Sequence, residues 1–177
     1  MIVSERQVKL FGVKKVAERE WHRQNRLREP FIKNFNRVMT NYYRNLANEI
    51  NETWKTGSIF LISLDMNRNQ KTLQNIFRVQ YTVIANAFKN YALDRMQNVK
   101  DFDSEFDRKL NLYIEENVGT MVTDINETTR NRIQSVINSG YNDGLSTEQT
   151  GTALRNTILG FGAYRANLIA RTEVHRT

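Results

Sequence analysis

The chain of 177 residues contains no cysteine, a single proline, Pro30, and eight glycines. The missing thiols exclude disulfides, thiolate catalysis and Cys-type zinc or iron–sulfur sites. Because proline and glycine are scarce, few residues are available to interrupt a helix, and helices can run long. Long apolar runs are missing too. The longest, Ile59-Phe60-Leu61-Ile62-Ser63-Leu64, falls far short of the roughly 18–20 residues that cross a bilayer. Met1-Ile2-Val3-Ser4-Glu5-Arg6 does not lead into the apolar stretch of a secretory signal, so the chain reads as made and used on the cytoplasmic side unless other machinery carries it. Only two histidines occur, His22 and His175, at opposite ends of the chain, and there is no HExxH pattern. Glu115 and Glu116 are neighbours on a helix and diverge. The sequence therefore assigns no catalytic, cofactor-binding or metal-binding residue, and the histidines read as solvated.

Positive charge is abundant and concentrated. Lys and Arg outnumber Asp and Glu by 26 to 19, a net charge of +7, and residues 1–37 hold ten of the basic residues against four glutamates. Such a segment suits a polyanion or an acidic protein groove. Lys9, Lys14, Lys15, Arg19, Arg23, Arg26 and Arg28 are the candidate contacts, with Phe11 and Trp21 interleaved as in segments that grip nucleic acid. The cations do not gather on one narrow face, which favours non-specific DNA contact over sequence readout. Val8, Phe11, Trp21 and Leu27 make only a weak apolar stripe on a helix over 5–28. This segment either docks on a partner or is a solvated, frayed terminal helix.

The rest is helical in period. Phe31, Phe35, Val38, Tyr42, Leu46, Ile50 and Trp54 recur at steps of three and four, and Pro30 suits the first turn of the helix they define. Gly57 is a plausible stop. Further helices are expected over 69–98 (Leu73, Phe77, Ile84, Phe88 and Tyr91 inward) and over 103–117 (Phe106, Leu110, Tyr113 and Ile114), the latter capped by Asp103 or Ser104 and broken at Gly119. Another is expected over 121–139, with Gly140 as its C-terminal glycine and Asn142-Asp143-Gly144 as a turn. Ser146 with Gln149 reads as a capping box, with Leu145 as a hydrophobic staple. Gly160 and Gly162 then end a short helix before a last one over 163–175. Residues 58–66 lack a polar face and fit either a buried helical turn or a short strand. The expected fold is all-α: an elongated bundle of six or seven helices with a protruding basic N-terminal helix. It divides into a basic arm (1–29), a helical bundle (30–118) and a C-terminal helical segment (119–177).

That last segment carries a distinctive pattern. It holds Thr128-Thr129, then Gly140 and Gly144-Leu145-Ser146, and closes with Tyr164-Arg165-Ala166-Asn167-Leu168-Ile169-Ala170-Arg171-Thr172-Glu173-Val174. This resembles the Mu F-like minor head protein (head morphogenesis) family of tailed bacteriophages, over about a third of the chain. Gly140, Gly144, Ser146, Arg165, Ala166, Arg171, Thr172 and Glu173 match the family motif, whose role is structural. Thr150-Gly151 departs from the Ile-Ala usual in the family, which implies a weaker packing face there. Family members usually continue past this motif, so the resemblance implies a truncated chain or a short member. In physical terms, Ala166 and Ala170 admit a close helix neighbour, Leu168 and Thr172 form a packing face, and Arg171 and Glu173 each meet a partner on another helix.

The resemblance implies a structural minor head protein, not an enzyme, in several copies inside the capsid near the portal vertex. Its partners would be the portal protein, the major capsid protein or both, and packaged double-stranded DNA bound non-specifically. It would be in the host cytoplasm during assembly, and it would assist head assembly and DNA packaging or ejection. An alternative reading makes these residues the delivery part of a phage-carried effector or toxin whose catalytic domain lies beyond residue 177. A third reading, a basic nucleic-acid-binding regulator, lacks a helix-turn-helix: the 140–146 turn is too long.

Overall fold

The computed structural model describes the backbone of residues 5–56, 59–95 and 102–176, and the side chains of 16–56, 68–95 and 103–176. Those residues form an all-α protein of four long helices: α1 (Glu5–Lys55), α2 (Ile59–Leu93), α3 (Phe102–Asn142) and α4 (Thr147–Arg176). Contacts between the helices set their directions. Glu49 reaches Arg68, Asn34 reaches Gln80, and Glu20 reaches Tyr91 and Arg95, so α1 and α2 are antiparallel. Tyr81 meets Met121, and Lys89 meets Asp103 and Asp107, which makes α2 and α3 antiparallel. Trp54 bonds to Thr147 and Tyr43 abuts Gly162, which closes α4 antiparallel onto α1. The result is an up-down-up-down arrangement, with its most extensive seam between the first and last helices. At 1.5 Å per residue, α1 alone spans about 77 Å. The accessible surface is 12131 Å², against about 8,900 Å² for a compact protein of 20.8 kDa.

The six or seven helices expected from the sequence are four because three expected breaks are not breaks. Pro30 lies inside α1. Its ring fixes a φ that is already helical, and its missing N–H leaves one carbonyl, that of Arg26, without its helical partner. Both residues are exposed, so water can serve that carbonyl. Gly119 lies inside α3, and Gly160 and Gly162 lie inside α4. Gly162 is a point of close approach: a Cβ built there would sit 2.4 Å from Tyr43 Cβ. Gly151 plays the same part against Trp54 Cδ1, at 2.9 Å, and Gly140 against Thr150 Oγ1, at 2.8 Å. Thr150-Gly151 therefore does not weaken the packing of α4. Both residues are buried, and the smallness of Gly151 brings α4 onto α1.

The chain turns between α3 and α4 at Gly144, with φ +67°, and not at Gly140. Leu145 N–H donates to the Gly140 carbonyl at 2.8 Å, and Gly144 N–H to that of Tyr141 at 3.2 Å, the paired bonds of a Schellman ending. The capping box follows as expected: Gln149 N–H donates to Ser146 Oγ at 3.2 Å, and Ser146 N–H to Gln149 Oε1 at 2.8 Å. Leu145 makes no staple, since the residue it would meet is Thr150, and it stays 40% exposed. Residues 59–66 belong to α2, which decides between the helical turn and the strand. Gly57 lies outside the described residues. Because α3 starts at Phe102, Asp103 is in its first turn, where negative charge is favoured, and it pairs with Lys89 Nζ at 2.8 Å.

The α1 stripe forms the core as its spacing predicts: Phe35, Met39, Tyr42, Tyr43, Leu46, Ala47, Ile50 and Trp54 are buried, joined by Leu73, Phe77, Tyr81 and Ile84 of α2. Burial lifts the phenol pKa of Tyr42, Tyr43 and Tyr81 above its ordinary value. Tyr43 and Glu49 add to the effect at Tyr42, the Glu173 hydrogen bond adds at Tyr81, and Arg165 opposes it at Tyr43. A raised folded-state pKa means that stability is whole below about pH 10 and is lost as pH rises past it, because only the unfolded chain can release these protons. Each phenol removes up to about 1.4 kcal/mol per pH unit, so the three together give a slope of about 4 kcal/mol per unit. Urea midpoints measured from about pH 9 to about pH 11 should therefore fall steeply. A flat profile would contradict the burial of these hydroxyls.

Candidate anion-binding groove

Two polar stripes face each other along one side of the α1–α4 seam. On α1 they are Trp21, Asn25, Arg28, Ile32 and Asn36, flanked by His22, Arg26, Glu29 and Lys33; on α4 they are Asn167, Arg171 and His175. The space between them is an open groove of about 680 Å³. The α4 residues recur every fourth position beside the buried Ala166, Ala170 and Val174. The side chains that pack α4 onto α1 thus also aim its polar stripe across the groove. Four permanent cations, Arg26, Arg28, Lys33 and Arg171, face one carboxylate, Glu29. None of the four forms an ion pair among the described residues. The guanidinium of Arg28 lies 5.1 Å from the Phe88 ring centroid, and its Nε is shielded from water without a hydrogen-bond partner. Such a groove raises the local concentration of anions and suits phosphate oxygens.

The groove begins where α1 first meets its neighbours. The Tyr91 hydroxyl donates to Glu20 Oε1 at 2.7 Å and Arg95 Nη1 donates to the same oxygen at 2.9 Å, while the Arg95 guanidinium stacks 3.9 Å from the Tyr91 ring centroid. The bond from Tyr91, with Arg95 beside it, holds the Glu20 carboxyl below its ordinary pKa. This clamp fixes α1 one residue before Trp21. Trp21 itself is 59% exposed and packs edge-on against His22, with ring centroids 4.9 Å apart.

The residues expected from sequence divide accordingly. Arg26 and Arg28 line the groove; Arg19 and Arg23 are exposed outside it; the side chains of Lys9, Lys14 and Lys15 lie outside the described residues. Sequence reasoning missed Lys33 and the convergence of His22 with His175, which are far apart in the chain but line one groove. The fourfold spacing of Asn167, Arg171 and His175 was the available signal.

The motif residues of α4 separate into a buried side and an open side. Glu173 is 6% exposed and accepts the Tyr81 hydroxyl of α2 at 2.5 Å, with Met121 Sδ 3.0 Å from the same hydroxyl. Burial, and then Glu173, raise the pKa of the neighbouring Tyr113 phenol as well. Glu173 therefore meets another helix as expected, whereas Arg171 points into the groove. Arg165 is half-buried, its guanidinium 5.5 Å from the Phe161 ring centroid. Leu168 and Thr172 are exposed and do not join the buried side of α4. Leu168 is 46% exposed, because the Ala166–Ala170–Val174 stripe faces inward and these two lie opposite it. Among the described residues, no three His, Asp or Glu side chains converge as a metal site would need, and no helix is long and apolar enough to cross a membrane. No family model, curated protein or solved structure matches this chain.

Proposed function

We propose that the protein is a structural minor head protein of a tailed phage virion, bound inside the capsid at or near the portal, where it assists head assembly and DNA packaging or ejection. Its role is to bind, with no reaction to perform. The carrying observation is that Arg171, from the Arg171-Thr172-Glu173 element that resembles the phage family, converges with Arg26, Arg28 and Lys33 in one open groove. The phage-like motif and the polyanion-binding surface are then one feature, with Glu173 locking α4 into the bundle while Arg171 faces outward. In this reading the elongated bundle carries a protruding basic arm ahead of the Glu20 clamp, which extends the same charge toward packaged DNA. Portal or capsid protein would be met by exposed apolar side chains such as Tyr164 and Leu168.

The test is particle composition. The polypeptide should co-purify with DNA-filled heads and with portal rings from infected cells, and its deletion should impair filling or infection. Particles that build, fill and infect normally without it would overturn the proposal.

A further inference from the structure

The groove offers a polyanion cations on two facing helices and one exposed ring. It runs from Trp21 to Asn36 on α1, a rise of about 22 Å, room for roughly four nucleotides of extended strand. Its two walls are adjacent helices. A strand laid between them meets Arg26 and Lys33 on one side and Arg171 on the other, with the amides of Asn25, Asn36 and Asn167 interspersed. Trp21 stands at the open end. Its ring makes a T-shaped contact with His22, and more than half of the residue is exposed. A duplex keeps its bases stacked inside and presents only phosphates to such a ring. An unpaired strand presents both phosphates and a base.

We infer that the groove binds a single nucleic-acid strand, with phosphates on Arg26, Lys33 and Arg171 and a base stacked on Trp21. This rests on the polyanion-binding reading above and adds the class of ligand that the site prefers. A strand end or a locally unpaired stretch of the genome would be held there in preference to intact duplex.

The experiment uses the full chain with an oligothymidylate and a duplex of equal length. Binding is followed by anisotropy of the labelled nucleic acid and by Trp fluorescence. Trp54 is buried and bonded to Thr147, so quenching on binding reports Trp21. The single strand should bind more tightly than the duplex and quench the fluorescence. Trp21→Ala should weaken single-strand binding about tenfold, as loss of one base–aromatic stack does, and leave duplex binding unchanged. Trp21→Phe should restore most of the loss, and Arg171→Gln should weaken both ligands. Because Trp21 is exposed, neither Trp21 change should disturb thermal unfolding. Equal affinity for both ligands, or an unaltered single-strand affinity in Trp21→Ala, would overturn the inference while leaving a phosphate-binding groove. Failure of both nucleic acids to bind at low salt would overturn the inference together with the DNA-facing role on which it rests.

Discussion

Replacing Gly162 by alanine should destabilise the protein, while the same change two residues earlier, at Gly160, should stabilise it. Alanine is intrinsically better than glycine inside a helix by about 0.5–1 kcal/mol. At Gly160 nothing lies within 4 Å of the added methyl, so that gain should appear in full. At Gly162 the methyl would come 2.4 Å from Tyr43 Cβ and 2.6 Å from its Cγ. Tyr43 is 1% exposed and cannot swing away, so α1 and α4 must part. Overpacking of this kind costs about 1–3 kcal/mol and should outweigh the propensity gain. For a protein of this size the two variants should move the melting temperature in opposite directions, roughly 1–4 °C upward at Gly160 and downward at Gly162. If the Gly162 variant melts higher than the parent, the close seam is wrong.

The second large effect concerns salt. Binding of duplex DNA by phosphate neutralisation should weaken linearly in log–log terms, with a slope of about 0.9 per neutralised phosphate. Changing Arg26, Lys33 and Arg171 together to glutamine removes three groove cations that have no ion-pair partner among the described residues. The slope should then fall by between two and three, with a loss of several orders of magnitude in affinity at low salt. Glu29→Gln should act in the opposite direction, since it removes the groove's one carboxylate. A triple variant with an unchanged slope would place the DNA contacts elsewhere, on the basic arm ahead of Glu20. Retention of DNA that is indifferent to salt in the parent protein would refute the DNA-facing role altogether.

Periodicity made the interior legible. The steps from Phe35 to Trp54 pointed to the inner face of α1, and Leu73, Phe77 and Ile84 to that of α2, because a helix turning every 3.6 residues must bury one stripe. Ser146 and Gln149 announced the start of α4 because a capping box is a local arrangement. What was not legible depended on distant residues. Gly162 reads as a helix end when only its neighbours are seen, and becomes a packing position once Tyr43, over a hundred residues away, is placed against it. Tyr81 lies outside the inward set that the spacing predicts, yet its hydroxyl, with Arg176, supplies partners that make a buried Glu173 tolerable. The groove was invisible for the same reason. Its two walls are the beginning and the end of the chain, and its width depends on the small residues that let them meet.

That joining of beginning to end also governs how the protein is made. The most extensive seam pairs α1 with α4, the last of these four helices to be translated. Until residues 147–176 have emerged, the nascent chain holds Tyr43 and Trp54 without the α4 residues that pack on them. Early helices can form within microseconds, but the long-range closure must wait until α4 has been translated. A ribosome stalled anywhere before α4 would therefore display an unzipped, sticky α1, making this chain a natural client of chaperones that bind exposed aromatic stripes.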